Sequence, residues 1–468
     1  MSVSSRTRIS EGAGTEPRSG AALSRRLLDE YAAVSDSLPA GVVSAERRHE
    51  AIQALAARGL PTARDENWRY TNLRPLERAR FVPAAAAAAA ALPGPSELPA
   101  GLDGFARYTY VDGVFAPQLS SPAERKGTGL TVRHLRQEGA AAPSGQVTVS
   151  PGAPARAAAM GRLPEARLAL LNEAFATDIA AIHVTGAGDA LQRMELIFIA
   201  AAGADTGASY PRVHVTLDPG ARLVLVERHV SAGGGAEFVN SAVAVEVGQG
   251  AQLDHYRLQK AGVRSTFLDT LSAVLSADAR YGLLAVNTGG LSARCTTHVQ
   301  MAGPGAELAL SVAALGDRQQ VQDHFALVEH IAPRARTEQT FRGIASGRAR
   351  VAFNGKITAH ESAAGTDSRQ SLRGLLAGPD AEIDVRPQLE IYTDEVRCSH
   401  GATAGKLDAD MLFYLLSRGL SAETAQRLLK WAFLEDVVAK IGIPELRRQI
   451  EHDLAGQMPD AASLKELL

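Results

Sequence analysis

The sequence is poor in cysteine and in aromatic residues, and it has neither a long apolar run nor an excess of one charge. Only Cys295 and Cys398 occur in 468 residues, too few for a disulfide framework, so we expect reduced thiols. Aromatic residues make up 5% and the net charge is −2, which disfavours a nucleic-acid-binding surface. No run reaches the length of a membrane span, and the first twenty residues lack the apolar core of a signal peptide. We therefore expect a cytoplasmic protein without membrane association.

Composition and periodicity divide the chain into four regions. We predict a disordered N-terminal tail, a helical region with an Ala/Pro-rich linker, a β core and a helical C-terminal region, at residues 1–20, 21–160, 161–402 and 403–468. Apolar spacing predicts two amphipathic helices within residues 22–60, and the alanine tract with its flanking prolines favours a linker. Three short helices follow residue 408, and their apolar faces must pack on the β core or on another protein.

Between about residues 194 and 397, short strands rich in Val, Leu and Ile alternate with turns of small residues. One turn motif recurs, with alanines at Ala221, Ala251, Ala279, Ala306 and Ala335, spaced by 30, 28, 27 and 29 residues. Such a period is typical of stacked repeats, so we predict a β-solenoid in which the small alanine turns inward at a corner. A β-sandwich with regular hairpins is the alternative, but of the Asn-Gly and Asp-Gly pairs typical of hairpins the region contains only Asn354-Gly355.

Cys398 and His400 form the clearest candidate site. In an extended segment, side chains two residues apart lie on one face, with Cα atoms about 6.6 Å apart. A thiolate and an imidazole so placed suit zinc, iron or an iron–sulfur cluster. The alternative is a small buried thiol next to a hydrogen-bonded turn histidine.

The segment from Gly401 to Leu407 has some likeness to a phosphate-binding loop. It has three residues between its glycines instead of four, and Leu407 stands where a magnesium-binding hydroxyl is needed. We interpret it as a turn entering the C-terminal helices, and we expect any ATPase activity to belong to a partner.

Several motifs in the second half of the chain resemble the SufB/SufD family of the SUF iron–sulfur assembly machinery. They are Asp323-His324, Phe353-Asn354-Gly355-Lys356-Ile357, Thr366-Asp367, Pro387-Gln388-Leu389-Glu390-Ile391, Val396-Arg397-Cys398-Ser399-His400-Gly401-Ala402-Thr403 and Leu412-Phe413-Tyr414-Leu415-Leu416-Ser417-Arg418-Gly419. Within the family, Glu66-Asn67-Trp68-Arg69-Tyr70-Thr71 and Leu171-Asn172 are more similar to SufD than to SufB.

This resemblance implies a right-handed parallel β-helix between helical N- and C-terminal regions. It also implies a non-enzymatic subunit that pairs with a SufB-like protein through the β-helix and binds a SufC-like ATPase through its C-terminal helices. His400, with Cys398 beside it, would face a SufB cysteine where a transient iron or iron–sulfur cluster is assembled. Two ligands cannot hold a cluster alone, so the remaining donors must come from another chain or from the persulfide sulfur of a sulfur carrier. Without SufB, a homodimer is a further expectation.

Two other functions remain open on the sequence. The chain could be the SufB-type scaffold itself, although two cysteines make it a poor holder of clusters. A β-helix hydrolase or lyase would need clustered carboxylates or an exposed base on one solenoid face, and the core strands show no adjacent acidic pair. We expect His298, His324, His330, His360 and Cys295 to be ordinary buried or hydrogen-bonded side chains.

Overall fold

The computed structural model describes residues 18–62, 64–84, 94, 98–121, 129–134, 166–186, 191–201 and 207–457. Its strands are β1 Ala106–Val111, β2 Val114–Phe115, β3 Leu130–His134, β4 Ala180–Val184, β5 Gln192–Ala200, β6 Ala208–Ser209, β7 Arg212–Leu217, β8 Arg222–Ser231, β9 Phe238–Val247, β10 Gln252–Ala261, β11 Thr266–Leu275, β12 Arg280–Gly289, β13 Ser292–Met301, β14 Glu307–Gly316, β15 Val321–His330, β16 Arg336–Ala345, β17 Arg350–Ala359, β18 Thr366–Leu376, β19 Glu382–Ile391 and β20 Val396–Gly405. Its helices are α1 Arg18–Val34, α2 Ala45–Arg58, α3 Leu168–Phe175, α4 Ala409–Ser417, α5 Ala422–Val438 and α6 Pro444–Gln457.

From β7 onward, successive strands alternate between two sheets. Sheet A has the order β19-β17-β15-β13-β11-β9-β7-β4-β3, and sheet B has the order β2-β1-β5-β8-β10-β12-β14-β16-β18-β20. Within both sheets the neighbours are parallel, except that β2 on β1 and β3 on β4 are antiparallel. The predicted β-solenoid is therefore confirmed, with about seven turns. A sandwich of hairpins is excluded, because hairpins join antiparallel neighbours.

The recurring alanines lie at the corners that lead into β8, β10, β12, β14 and β16, and all five are at most 2% exposed. The residue before each alanine has a positive φ, as in Gly220 (73°), Asp278 (55°) and Arg334 (58°). Its backbone N–H donates to a carbonyl in the next turn, for example Gly220 to Gln249 at 2.9 Å and Asp278 to Pro304 at 2.9 Å. The residue with positive φ thus reverses the chain direction at the corner, and its backbone hydrogen bond connects each corner to the corner of the next turn.

Helical regions cover the outer faces of both sheets. On sheet A, apolar residues of α1, α2 and α3 pack with Tyr210, Phe238 and Leu268. On sheet B, α5 and α6 bury Trp431, Leu434 and Leu446 against strand residues that include Val226, Leu284 and Ile344. The helices therefore cover part of the outer faces, while residues such as Ala309 and Glu338 on sheet B remain exposed.

Some details differ from the sequence-based boundaries. Strand β20 continues to Gly405, past the predicted end of the core at residue 402, because its backbone follows β18 to Leu375. The segment Gly401 to Gly405 is consequently strand, and our interpretation of it as a turn is wrong. Strands β1 and β3 lie within the region predicted as helical. Strand β1 belongs to sheet B, and β3 belongs to sheet A. The tail to residue 17 and residues 85–91 of the alanine tract lie outside the described residues. No helix in the described ranges is both long and apolar enough to cross a membrane.

A charged network that no local sequence motif predicts lies inside the solenoid. Arg257 bridges the carboxylates of Glu227 and Asp269, at 2.6 Å each, and His229 and His255 bond to Glu227 at 2.5 and 3.1 Å. Burial opposes ionisation of Glu227, but Arg257 and the two histidines hold the pKa of that carboxyl well below its usual range. The two acids are the carboxylate pair that a glycan hydrolase would need, yet they are buried and neutralised.

We expect Arg257→Met to lower the free energy of unfolding by about 3–5 kcal/mol, because it leaves the buried Asp269 without a cation and Glu227 with only its two histidines. Urea denaturation at pH 7 measures this loss. The control is Arg280→Met on the neighbouring strand, where an exposed pair with Glu307 at 3.4 Å should matter little. Equal losses in the two variants would contradict a stabilising role for the buried network.

Candidate functional site

Cys398 and His400 lie on one face of β20, as the sequence predicts. The register of this strand with β18 pairs Cys398 with Ser368 and His400 with Gln370. Ser368 and Gln370 are 0% and 4% exposed, whereas Asp367 and Arg369 between and beside them point outward. Since registered neighbours in a parallel sheet share a face, Cys398 and His400 continue an inward-facing column of the solenoid.

This column reaches the surface because β19 and β20 are the last strands of the two sheets. Among the described residues, each therefore has one edge without a strand neighbour, and no further turn covers the interior. Along β20, Cys398 is partly buried while His400 is exposed. Facing them on β19, Ile383, Val385 and Leu389 are only partly buried although they pack on the main core. We call the end formed by β19 and β20 the open end.

The opposite end of the solenoid is closed in a different way. There, β2 and β3 run antiparallel to their neighbours and reverse the chain direction at the edge of each sheet. The antiparallel strands interrupt the repeat, so a further parallel turn does not continue from that end. The open end is thus the part of the described solenoid where the repeat stops with its inward columns uncovered.

The floor of the site is polar. Ser368 Oγ and Gln370 Oε1 are buried and have no hydrogen-bond partner among the described residues. Both belong to the residues that register with Cys398 and His400. Buried polar atoms normally find partners, so two orphans directly beneath a thiol and an imidazole indicate a place built for a polar occupant. The motif around Cys398 and His400 does not reveal these two residues, but subtracting the repeat length of about 30 residues from positions 398 and 400 leads to both of them.

The donor set of the open end is incomplete for a metal cluster. Cys398 and His400 offer one sulfur and one nitrogen, and no group of three or more His, Cys, Asp or Glu side chains is placed to hold a metal within the described ranges. Thiolate and imidazole do suit iron and iron–sulfur clusters chemically. The arrangement can therefore contribute ligands to a shared site, but it cannot enclose one.

The N-terminal motif around Trp68 ties the helical region to the strands beneath the open end. Trp68 is 2% exposed and lies under the guanidinium of Arg294, 4.5 Å from the ring centre. Asn354 on β17 donates to Asn67 at 3.0 Å, and Glu66 forms an ion pair with Arg386 on β19. Trp68 thus anchors this loop on the solenoid, and Glu66 extends the anchor to the edge strand β19.

Helix α4 begins immediately after β20 and exposes an apolar patch. Asp408 caps its N-terminus by accepting from Asp410 N and Met411 N at 2.9 and 3.0 Å. None of its residues is buried, and its large apolar side chains are 39–72% exposed: Met411, Phe413, Tyr414 and Leu416. We call these four residues the α4 patch. Contiguous exposed apolar side chains of this kind mark an interaction surface.

Four other histidines and Cys295 make contacts within the described fold. His324 stacks on Phe353 and contacts Thr297 at 3.2 Å, and His330 contacts Thr337 at 2.9 Å. His298 and His360 both bond to Glu329, and Cys295 is buried. Burial lowers the pKa of His324 to about 3 and that of His330 to about 4. Neither side chain reaches the open end as a free ligand.

Comparison with known proteins decides the family. The family model described as the SufBD core domain of SUF system FeS cluster assembly matches residues 198–433, half of the chain. The chain belongs to the SufBD family. It is 28% identical to the iron–sulfur cluster assembly protein SufD of Escherichia coli over 424 residues, which cover 90% of this chain and 95% of that protein. The matched segment contains most of the solenoid and the α4 patch.

Two further relatives agree with this assignment. A SufBD family protein of Synechocystis is 27% identical over 450 residues, 90% of this chain and 92% of that protein. The chloroplast protein ABCI7 of Arabidopsis thaliana is 32% identical over 250 residues, 53% of each chain. This SufBD protein is therefore an iron–sulfur assembly family member, most like SufD, as the motifs predicted.

His330 provides a test of the polar interior through pH. In the unfolded chain its ring takes up a proton near pH 6.5, but in the fold its pKa is about 4. Between these values the unfolded state binds more protons, so the histidine makes the fold less stable as pH falls from 6.5 towards 4. We expect His330→Gln to reduce the difference in unfolding free energy between pH 7.5 and 5 by up to about 2 kcal/mol.

Urea denaturation at the two pH values measures this difference. The exposed His452 supplies the control, since His452→Gln removes no buried ring. An unchanged pH dependence in His330→Gln would mean that the ring is not held neutral in the fold.

Proposed function

We propose that this SufBD protein is a non-enzymatic SufD-like subunit of a SufBCD-type complex in the cytoplasm, where it helps to assemble iron–sulfur clusters at a shared interface. The observation that carries the proposal is the coincidence, at one end of the solenoid, of two free strand edges with Cys398 and His400. Metal donors and an incomplete surface at the same place favour a site that is finished by a second chain.

The open end is the docking surface for a SufB-like partner. Its backbone N–H and C=O groups along β19 and β20 lack a strand neighbour, and its inward residues are partly exposed. A second β-helix stacked there would satisfy both, because its terminal strands present the same pattern of donors and acceptors. The exposed Ile391 and Tyr392, at 42% and 59%, extend this surface at the end of β19. Without SufB, a second copy of this chain is the next candidate.

The α4 patch is the docking surface for a SufC-like ATPase. It lies directly after β20 in the chain, so an ATPase bound there would act close to the open end. The chain's own segment from Gly401 to Gly405 is a strand and offers no nest of backbone N–H groups to phosphates. ATP hydrolysis is accordingly assigned to the partner.

The iron or nascent cluster is the cargo of this site. Cys398 would offer its thiolate and His400 one ring nitrogen, and the partner chain would supply the remaining donors. This chain would keep no cofactor when it is alone. Incomplete ligation suits transfer, because a cluster held between chains can leave when the interface opens.

Substitution of two exposed aromatic residues distinguishes the two proposed partner-binding surfaces. We expect Phe413→Ser to abolish co-purification of the SufC-like ATPase while a SufB-like protein stays bound, and Tyr392→Ser to weaken SufB binding while the ATPase stays bound. Phe413 is 72% exposed, so its replacement should not unfold the chain. Affinity pull-down after co-expression of the three proteins measures both. Robust ATP hydrolysis by the isolated chain, or loss of both partners in both variants, would contradict the assignment.

Removal of the imidazole tests the cluster site. We expect His400→Ala to leave the complex intact but to lower its iron and sulfide content at least several-fold, because one cluster donor is lost. Anaerobic purification followed by iron and sulfide analysis measures the content per complex. His452→Ala, another exposed histidine on α6, is the control. If the two variants hold equal amounts of iron and sulfide, His400 is a structural residue.

A further inference from the structure

The amide of Gln370 has a defined orientation inside the solenoid. Its Nε2 donates to Gln339 Oε1 at 2.9 Å and to the backbone carbonyl of Gly355 at 3.0 Å. A backbone carbonyl is always an acceptor, so the atom next to it must be the NH2 group and the two ends of the amide cannot be exchanged. Gln370 Oε1 is thereby identified as the buried atom that has no partner among the described residues.

Strand order shows which way this oxygen faces. Gln339 lies on β16 and His400 on β20, and these strands flank β18 on opposite sides. Because the oxygen and nitrogen of a planar amide lie on opposite sides of its carbon, a nitrogen directed at β16 places the oxygen toward β20. Neighbouring strands are about 4.8 Å apart, which brings an imidazole on β20 within hydrogen-bond reach.

A glycine in the facing sheet leaves space for the side-chain amides of Gln339 and Gln370. Gly355, on β17, lies opposite the two glutamines, and a Cβ there would come within 2.8 Å of Gln339 Oε1 and 2.9 Å of Gln370 Nε2. Its φ is not positive, so no backbone strain requires glycine here. The close approach of the amides explains the glycine, and the three residues together fix the position of Gln370.

We propose that Gln370 is a positioning residue for His400: its Oε1 accepts one ring N–H of the imidazole, so that the other ring nitrogen faces the open end with its lone pair free for iron. The exposed ring reaches this bond by turning inward about its side-chain torsions. Histidines that bind metals commonly donate their second N–H to such a partner, which fixes the tautomer and the ring plane. The role in cluster assembly rests on the proposed function, whereas the hydrogen bond does not.

The test compares Gln370→Met with the parent chain. Methionine has nearly the same shape but removes the acceptor. Histidine ring nitrogens are labelled with 15N, and the His400 signals are assigned with His400→Ala and recorded at pH 8.5, without metal. We expect the parent to show one dominant His400 tautomer and Gln370→Met to show a mixture of both. In the purified complex, Gln370→Met should lower iron content about tenfold, the usual effect of losing such a partner.

Two variants control for packing and folding. Gln339→Leu removes the neighbouring buried amide but keeps Gln370 Oε1, so it should retain the single tautomer. Gln370→Leu also removes the acceptor and should likewise give a mixture of tautomers, which preserves the test if Gln370→Met does not fold. A single unchanged tautomer in Gln370→Met would overturn the proposal.

The outcomes also separate this proposal from the proposed function. If the tautomer changes but iron and sulfide stay normal in both Gln370→Met and His400→Ala, the hydrogen bond stands and the role of His400 in cluster assembly fails. If His400→Ala loses iron while Gln370→Met changes neither the tautomer nor the iron content, the proposed function stands and Gln370 is only a packing residue.

Discussion

The stacking of each turn on the next by parallel backbone hydrogen bonds is the constraint on which the rest of this structure depends. A strand in a solenoid satisfies its N–H and C=O groups only through the turns above and below it. The corner residues with positive φ, such as Asp278, and the buried alanines after them keep the turns in one register. As a result, each inward position becomes a column that runs through the molecule.

A column gives a residue neighbours of a predictable kind. An apolar column forms part of the hydrophobic core. In a polar column, the buried side chains must find their hydrogen-bond or ion-pair partners among one another. The network around Arg257 does so with charges, and the column from Gln339 to Gln370 does so with amides. At the last turn a column has no successor. The strand register therefore places Cys398 and His400 on the inward face, but their location in the last turn leaves that face uncovered. This is the physical reason that a site can exist there.

The sequence predicted some features of this site and not others. The spacing of Cys398 and His400 predicted a shared face, and the strand register confirms it. The residues Ser368 and Gln370 were missed because their importance depends on which turn lies beneath the pair. The interior acids Glu227 and Asp269 were missed because they are 42 positions apart in sequence and meet only through Arg257 on another strand. Strand β20 was predicted to end at residue 402, since small residues such as Gly401 and Ala402 carry no local strand signal.

By itself the sequence determined the repeat, the inward alanines, the helical N- and C-terminal regions and the family motifs. Each of these follows from local composition or from a period of about 30 residues. Only the tertiary structure decided that β19 and β20 are the last of the described strands, that no described residue covers the α4 patch, and that Gln370 Oε1 is a buried atom without a partner among the described residues. Each of these facts concerns a strand edge, a surface or an atom that lacks a neighbouring residue. The absence of a neighbour becomes visible only when every turn has been placed.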